Sequence, residues 1–121
     1  MENTISPAKV KPNITIELLE QIDVRVGTIE QIDEVKGSGK LLALTVDFGD
    51  HKRMILAGMK KERERPEELV GVQALFVVNL EPRPMMGRVS EGMLFDIGYA
   101  DALTPVLAVP EKPVPNGTRV G

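Results

Sequence analysis

Cysteine and tryptophan are absent from this chain of 121 residues, and His51 is its only histidine. Without cysteine the chain can form no disulfide, no thiolate nucleophile and no cysteine-ligated zinc site. One histidine lying in a predicted turn beside Gly49 and Asp50 gives a zinc site too few ligands. The lack of cysteine is also compatible with a reducing compartment, so we expect a cytoplasmic location.

Two partial motifs fall short of catalytic or nucleotide-binding patterns. The serine-hydrolase motif Gly-x-Ser-x-Gly needs a glycine two residues before Ser90, where this chain has Arg88. Gly39-Lys40 resembles the end of a phosphate-binding Walker loop, but Glu34 stands where the first glycine of that loop is required. We therefore expect no enzymatic activity and no cofactor.

Aromatic residues and long apolar runs are also scarce. The only aromatic residues are three phenylalanines and Tyr99, and Phe48, Phe76 and Phe95 fall in predicted strands, where we expect them in the core. A groove that stacks successive bases of a single-stranded nucleic acid on aromatic rings is therefore disfavoured. No apolar run approaches the roughly 18 residues of a membrane helix, so we expect no membrane insertion.

The net charge of −3 argues against a protein that coats nucleic acids indiscriminately. The charge is unevenly distributed, because six basic residues and only two acidic ones lie between Lys52 and Arg65. A basic segment on an acidic molecule can attract a polyanion to one side. A solvated, charge-rich turn is the alternative interpretation of the same segment.

The alternation of apolar and polar residues predicts an all-β domain with little helix. The predicted strands are residues 24–32, 41–48, 54–57, 74–78 and 92–97. Thr15 is a candidate cap for a short turn or helix, Gly27 suggests a bend or bulge in the first strand, and Pro66 opens a short helix that ends near Gly71. We expect residues 1–13 to form a flexible arm and residues 14–121 to form one domain.

This order of elements is typical of one small barrel. Five strands with a short helix between strands 3 and 4 are the layout of the five-stranded OB-fold barrel. The segment beyond residue 97 is a C-terminal extension that a minimal barrel does not need. We expect it to cover a sheet edge or to make a subunit contact.

The segment from Asn79 to Met93 interrupts the last two strands with prolines, glycines, methionines and two arginines. Pro82 and Pro84 restrict the backbone, and Arg83 carries a guanidinium group that can bind phosphates in a bidentate manner. The segment can be interpreted as a shaped surface for a partner or as an ordinary hairpin connection. The residues alone leave both interpretations open.

Three blocks of this sequence resemble the tRNA-binding-domain family. They are Ile14-Thr15-Ile16 leading to Ile22-Asp23-Val24-Arg25-Val26-Gly27; Lys40-Leu41-Leu42 with Thr45-Val46-Asp47-Phe48-Gly49 and Pro66-Glu67-Glu68-Leu69-Val70-Gly71; and Asn79-Leu80 with Pro82-Arg83, Met86-Gly87, Ser90 and Gly92-Met93-Leu94. The family includes the C-terminal domains of methionyl-tRNA synthetases, free-standing tRNA-binding proteins and the CsaA secretion chaperones.

The resemblance implies an OB-fold that binds the folded shape of tRNA, with no catalytic role. It also implies a set of RNA-facing residues, namely Lys40, Asn79, Arg83, Ser90 and Met93. To these we add, from charge alone, Lys52, Arg53, Lys60, Lys61 and Arg88.

The resemblance leaves more than one partner open. The favoured hypothesis is a tRNA-binding module that is free-standing or assists an aminoacyl-tRNA synthetase of the methionyl type, and we expect a homodimer. The alternative is a CsaA-like chaperone for unfolded or export-bound polypeptides, which the adaptable side chains of Met85, Met86 and Met93 would suit.

Overall fold

The computed structural model describes residues 7–121 of the chain. The predicted N-terminal arm is described only from residue 7, because its first six residues lie outside the described residues. Residues 7–13 are exposed and form no helix or strand. A single helical turn, α1 (Ile16–Leu19), follows, and Thr15 caps it, since the Thr15 hydroxyl accepts a hydrogen bond from Leu18 N at 3.1 Å.

Short antiparallel strands make up most of the remaining structure. In chain order they are β1 (Val24–Glu34), β2 (Leu42–Asp47), β3 (Lys52–Ala57), β4 (Gln73–Val77), β5 (Arg83–Met85), β6 (Arg88–Ser90), β7 (Met93–Leu94), β8 (Asp96–Ile97) and β9 (Val106–Leu107). The predicted helix after Pro66 is a 3₁₀ turn, Pro66–Leu69, and a second 3₁₀ turn covers Tyr99–Asp101.

Five of these strands form one curled sheet in the order β3-β2-β1-β4-β7. The first part of β1, up to Thr28, pairs with β4, and the part from Thr28 onward pairs with β2. A strand that changes partners along its length must coil strongly, which bends the sheet into a partial barrel. The predicted OB-type, all-β fold with a short helical turn between strands 3 and 4 is confirmed.

The bulge in β1 lies further along the strand than Gly27. The register with β2 shifts between Ile29 and Gln31, whereas Gly27 pairs regularly with Ala74. Gly27 is needed for a different reason, because a Cβ on it would lie 2.5 Å from Cγ1 of Val46 and close to the Phe48 ring. A bulge at Gly27 is therefore wrong in position, and the glycine permits close packing across the sheet beside Thr28, where β1 changes partners.

The core lies inside the curled sheet. Its largest fully buried apolar side chains are Phe76, Ile29, Leu44, Ile55 and Val46. The ring of Phe48 meets that of Phe76 edge to face at 5.6 Å, so two of the three phenylalanines are core residues as predicted. Phe95 is not, because it lies between β7 and β8 and is 40% exposed.

The C-terminal extension covers a sheet edge, as predicted. The predicted fifth strand divides at Phe95, and its second part, β8, turns away to pair with β9. The last residues then run beside the start of β1, where Val26 N donates to Thr118 O at 2.9 Å and Val120 N donates to Val24 O at 2.8 Å. None of the helices within residues 7–121 has the length and apolar character needed to span a membrane.

Candidate functional site

A groove of about 330 Å³ lies where the loops before β2 and after β3 approach the β5–β6 hairpin and the β8–β9 pair. Its apolar side chains include Leu56, Met85 and Leu107. Its charged side chains are Lys40, Glu62, Arg63, Arg83 and Asp96. A volume of this size is at the lower end of the range of ligand sites, which suits one small group rather than an extended chain.

The β5–β6 hairpin forms one wall of the groove and is fixed to β3 by Ser90. The Ser90 side chain is 2% exposed, accepts a hydrogen bond from Leu56 N at 2.9 Å and donates one to Gly92 O at 3.0 Å. Glu91 N also donates to Met54 O at 2.9 Å. The hairpin therefore rests on β3 by hydrogen bonds as well as by apolar packing.

The turn before β2 places Lys40 on the opposite side. The Ser38 hydroxyl accepts hydrogen bonds from Lys40 N and Leu41 N, at 3.2 and 2.9 Å, and shapes the turn. Lys40 O accepts from Lys60 N at 3.1 Å, and the Lys40 side chain lies across Gly58, where a Cβ would approach Lys40 Cε to 3.2 Å. The absence of a side chain at position 58 therefore leaves room for the Lys40 ammonium group to lie over the groove.

Only three of the ten predicted site residues line this groove, namely Lys40, Arg83 and Met93. Within residues 7–121 no carboxylate lies within ion-pair distance of Lys40 or Arg83. Both side chains are therefore free to bind an external anion. Met93 is 40% exposed and adds an apolar surface beside them.

Lys61 and Arg88 lie close to this groove without lining it. The Lys61 side chain passes near Gly39, in the same turn as Lys40, since a Cβ on Gly39 would lie 3.9 Å from Lys61 Cε. Arg88 is half-buried, with Nη1 3.5 Å from the sulfur of Met54. Neither cation is paired with a carboxylate in the part of the chain that the structure describes.

Lys52 and Lys60 are paired with carboxylates. Nζ of Lys52 lies 2.8 Å from Glu30, and Nζ of Lys60 lies 2.9 Å from Glu34. The hydrogen bond to Glu30 raises the pKa of the Lys52 ammonium group. Two more basic residues of the segment, Arg63 and Arg65, lie 3.7 and 3.6 Å from carboxylates, so four of its six basic residues are paired and its charge surplus does not form one cationic face.

Arg53 and Asn79 connect separate segments of the backbone. Nη1 of Arg53 donates to Val78 O at 2.6 Å and to Glu91 O at 3.1 Å, so this side chain joins the ends of β3, β4 and β6. The Asn79 side chain accepts from Asp23 N at 2.8 Å and donates to the carbonyl of Gln21 at 2.6 Å. Their polar groups, like that of Ser90, already have protein partners.

Of the polar groove residues outside the predicted set, Arg63 belongs to the basic segment between Lys52 and Arg65, and the other three are Glu62, Asp96 and Tyr99. Burial raises the pKa of the Glu62 carboxyl, the Arg63 guanidinium opposes that shift, and the charge of Asp96 adds to it. A sequence signal existed only for Tyr99, the one aromatic residue outside the predicted strands. Glu62 and Asp96 had no such sequence signal, because a charged residue in a loop is usually solvated.

Comparison with known proteins identifies the family. Residues 24–119 match the family described as "Putative tRNA binding domain". The chain belongs to this tRNA-binding-domain family. The match covers all nine strands, the groove and most of the C-terminal segment beside β1.

Curated relatives of this tRNA-binding domain include methionine–tRNA ligases. That of Methanothrix thermoacetophila is 48% identical over 114 residues, which are 93% of this chain and 16% of the ligase. That of Streptococcus pyogenes serotype M1 is 41% identical over 113 residues, which are 92% of this chain and 17% of the ligase. The chain thus spans about a sixth of the length of these relatives.

Solved structures with the same fold include two chains whose full length is covered by this one. A methionyl-tRNA-synthetase-related protein from Pyrococcus horikoshii superimposes with a TM-score of 0.84 at 32% identity, covering 92% of this chain and 100% of that one. The chaperone CsaA from Bacillus anthracis gives a TM-score of 0.79 at 31% identity, covering 91% and 100%. The predicted relationship to methionyl-tRNA-synthetase-related proteins and to CsaA proteins is confirmed.

Proposed function

We propose that this domain binds tRNA at the groove, with Lys40 and Arg83 contacting phosphates. The observation that carries the proposal is that these two cations, far apart in sequence, border one groove and have no carboxylate partner within the described residues. An unpaired cation releases the counterions of a phosphate, whereas a cation already paired with a carboxylate gains less. Lys61 and Arg88, close to the groove, extend this positive surface.

The apolar side chains beside these cations suit RNA whose bases are unstacked. Met93 is 40% exposed within the groove, and Met86, at the tip of the β5–β6 hairpin, is 53% exposed. Folded RNA presents unpaired bases in loops and at corners, and proteins read such bases by contact and by shape. We assign Arg53, Asn79 and Ser90 to holding the groove in place, and direct contact of these three with RNA stays a prediction.

The direct test compares two RNAs in a gel-shift titration. Whole tRNA and an unstructured RNA of the same length are titrated with the protein at low and at moderate salt. We expect tighter binding of tRNA at both salt concentrations, because a rigid groove favours a preformed shape. Equal affinity for the two RNAs would contradict the proposal.

The chaperone alternative draws less support from this groove. Two observations favour a chaperone, namely the structural similarity to CsaA of Bacillus anthracis and the exposed side chain of Met86. However, the groove contains five charged side chains, whereas an unfolded polypeptide is captured through apolar contacts. Suppression of client aggregation at stoichiometric ratio, without tRNA binding, would favour the chaperone.

We further propose that the domain assists an aminoacyl-tRNA synthetase of the methionyl type, either within a longer chain or as a separate subunit. Its similarity to a segment of methionine–tRNA ligases supports this proposal. A domain that binds tRNA without a reaction of its own can raise the effective concentration of the substrate near a catalytic domain. A cytoplasmic location is part of the same proposal.

The proposed homodimer would use the outer face of the β8–β9 pair. Asp96 and Leu107 pair across these strands and line the groove, so Ile97 and Val106, the next pair, face the other way. Ile97 is 56% exposed and Val106 is 54% exposed. Light scattering at micromolar concentration should give twice the mass of the chain for the wild type, and Ile97→Glu should give the monomer mass.

A further inference from the structure

The groove carries charges of both signs, and phosphate binding explains only the positive ones. Glu62 and Asp96 line the same cavity as Lys40 and Arg83. Carboxylates repel phosphates, so a groove that bound only the RNA backbone would gain nothing from them.

Both carboxylates are available for hydrogen bonding. The Glu62 side chain is 21% exposed, and the ion pair between its Oε1 and Nη1 of Arg63 is 3.7 Å long, which is too long for a hydrogen bond. In the described part of the chain no side chain or backbone N–H donates a hydrogen bond to the carboxylate of Glu62 or of Asp96. An ionised carboxylate accepts hydrogen bonds only, so a ligand here must present donors.

The two carboxylates lie at the end of the groove next to the β8–β9 pair. Asp96 belongs to β8, and Glu62 precedes Arg63, whose Nη2 donates to the carbonyl of Pro105, the residue before β9, at 3.4 Å. The unpaired cations of the groove come from other walls, namely the turn before β2 and the β5–β6 hairpin. One end of the groove therefore suits a phosphate, and the other end suits a group rich in hydrogen-bond donors.

An aromatic ring completes the acidic end. Tyr99 lines the groove from the 3₁₀ turn after β8 and is 67% exposed. RNA-binding proteins stack splayed-out bases on such rings. A volume of about 330 Å³ has room for one nucleotide.

We infer that the groove binds one unpaired guanine nucleotide, with its phosphate at Lys40 and Arg83 and its base edge on Glu62 and Asp96. Guanine is the base whose pairing edge places two donors, N1–H and N2–H, side by side, and one carboxylate can accept both. Adenine, cytosine and uracil place donors next to acceptors, which a carboxylate repels. This inference rests on the proposed tRNA binding and adds base specificity to it.

Four pentanucleotides test the inference. Each has a central guanine, adenine, cytosine or uracil flanked by two uridines on each side, and each competes with a labelled probe for the protein. We expect the guanine pentamer to bind about tenfold more tightly than the other three, since a good bidentate base contact discriminates by about that factor.

A charge-matched pair of variants isolates the base contact. One variant combines Glu62→Gln and Asp96→Asn. The control combines Glu64→Gln and Asp101→Asn, which removes the same two charges from exposed positions that do not line the groove. Both variants gain the same long-range attraction for RNA, but only the first should lose the guanine preference, and thermal unfolding confirms that both are folded.

The outcomes separate this inference from the proposed function. Equal binding of the four pentamers, a preference for another base, or a guanine preference that survives in the Glu62 and Asp96 variant would each overturn it. If whole tRNA binds but no pentamer does, the one-nucleotide site is wrong and tRNA binding stands. If neither whole tRNA nor any pentamer binds, both proposals fail.

Discussion

Removing a free cation should weaken tRNA binding, whereas removing a paired one should not. Among the residues that the structure describes, Lys40 and Arg83 of the groove have no carboxylate partner, whereas the ammonium group of Lys52 lies 2.8 Å from Glu30. We compare a Lys40→Gln, Arg83→Gln double variant with Lys52→Gln. None of these three side chains is buried, so all the variants should fold.

The expected magnitude follows from counterion release. Each phosphate contact contributes about 0.7 to 0.9 to the slope of log affinity against log salt concentration, so losing two should lower that slope by about 1.4 to 1.8. When salt rises from about 50 to about 200 mM, the affinity ratio of wild type to double variant should shrink roughly tenfold.

The control should keep the slope of the wild type for two reasons. Lys52 already has a protein counterion in Glu30, so it releases few counterions from RNA. It also lies at the far end of β3 from Ala57, which lines the groove. That is roughly 17 Å at the rise of a strand, beyond the Debye length of about 10 Å at 0.1 M salt.

Fluorescence anisotropy with labelled tRNA at four or more salt concentrations gives the slopes directly. A double variant that keeps the slope of the wild type would refute this prediction. A Lys52→Gln variant that lowers the slope as much as the double variant would refute it too. In either case the distinction between unpaired and paired cations would not explain the salt dependence of RNA binding by this protein.

Three further predictions concern the scaffold of the groove. Ser90→Ala leaves Leu56 N without its hydrogen bond and should lower the free energy of unfolding by about 1–3 kcal/mol in a urea titration, with tRNA affinity retained while the protein is folded. Gly27→Ala forces a Cβ to 2.5 Å from a core methyl group and should cost about 1–3 kcal/mol, whereas Gly39→Ala, whose Cβ has no neighbour nearer than 3.9 Å, should not destabilise the protein. The hydrogen bond from Arg25 holds the pKa of Asp23 below its ordinary value of 3.8. The Asp23→Asn variant should therefore be less stable than wild type above that pH, and the difference should disappear as pH falls through the lowered pKa.

Each of these has a contrary result. If Ser90→Ala lost tRNA binding at unchanged stability, that result would support direct contact of the Ser90 hydroxyl with RNA. Equal stability of Gly27→Ala and Gly39→Ala would mean that the sheet yields to the extra methyl group. A stability difference between Asp23→Asn and wild type that persists in acid well below pH 3.8 would show that the effect is not ionic.

Local signals were sufficient for most of the fold. Turn residues and alternating apolar residues gave the strands of the main sheet to within a few residues, because a half-buried strand needs that alternation. The division of the fifth strand at Phe95 was missed, since only its pairing with β9 defines where β8 begins. The position of the bulge was missed because the register with β2 sets it.

The site was less predictable than the fold. Family motifs pointed to Lys40, Arg83 and Met93, and the structure places all three in the groove. The same motifs also included Asn79 and Ser90, whose hydrogen bonds are internal. A motif contains residues that shape a site as well as residues that contact a ligand, so its sequence does not distinguish the two kinds of residue.

The sequence by itself determined the fold class, the family and the absence of thiol chemistry, because composition, periodicity and ordered motifs are properties of the chain. Tertiary structure alone decided which charges are free. Lys52 and Lys40 are equivalent in a list of basic residues, yet Glu30 on a neighbouring segment neutralises the first, while the second meets Arg83, Glu62 and Asp96 around one groove. Coulomb interactions depend on distance in space, and the folded sheet sets those distances.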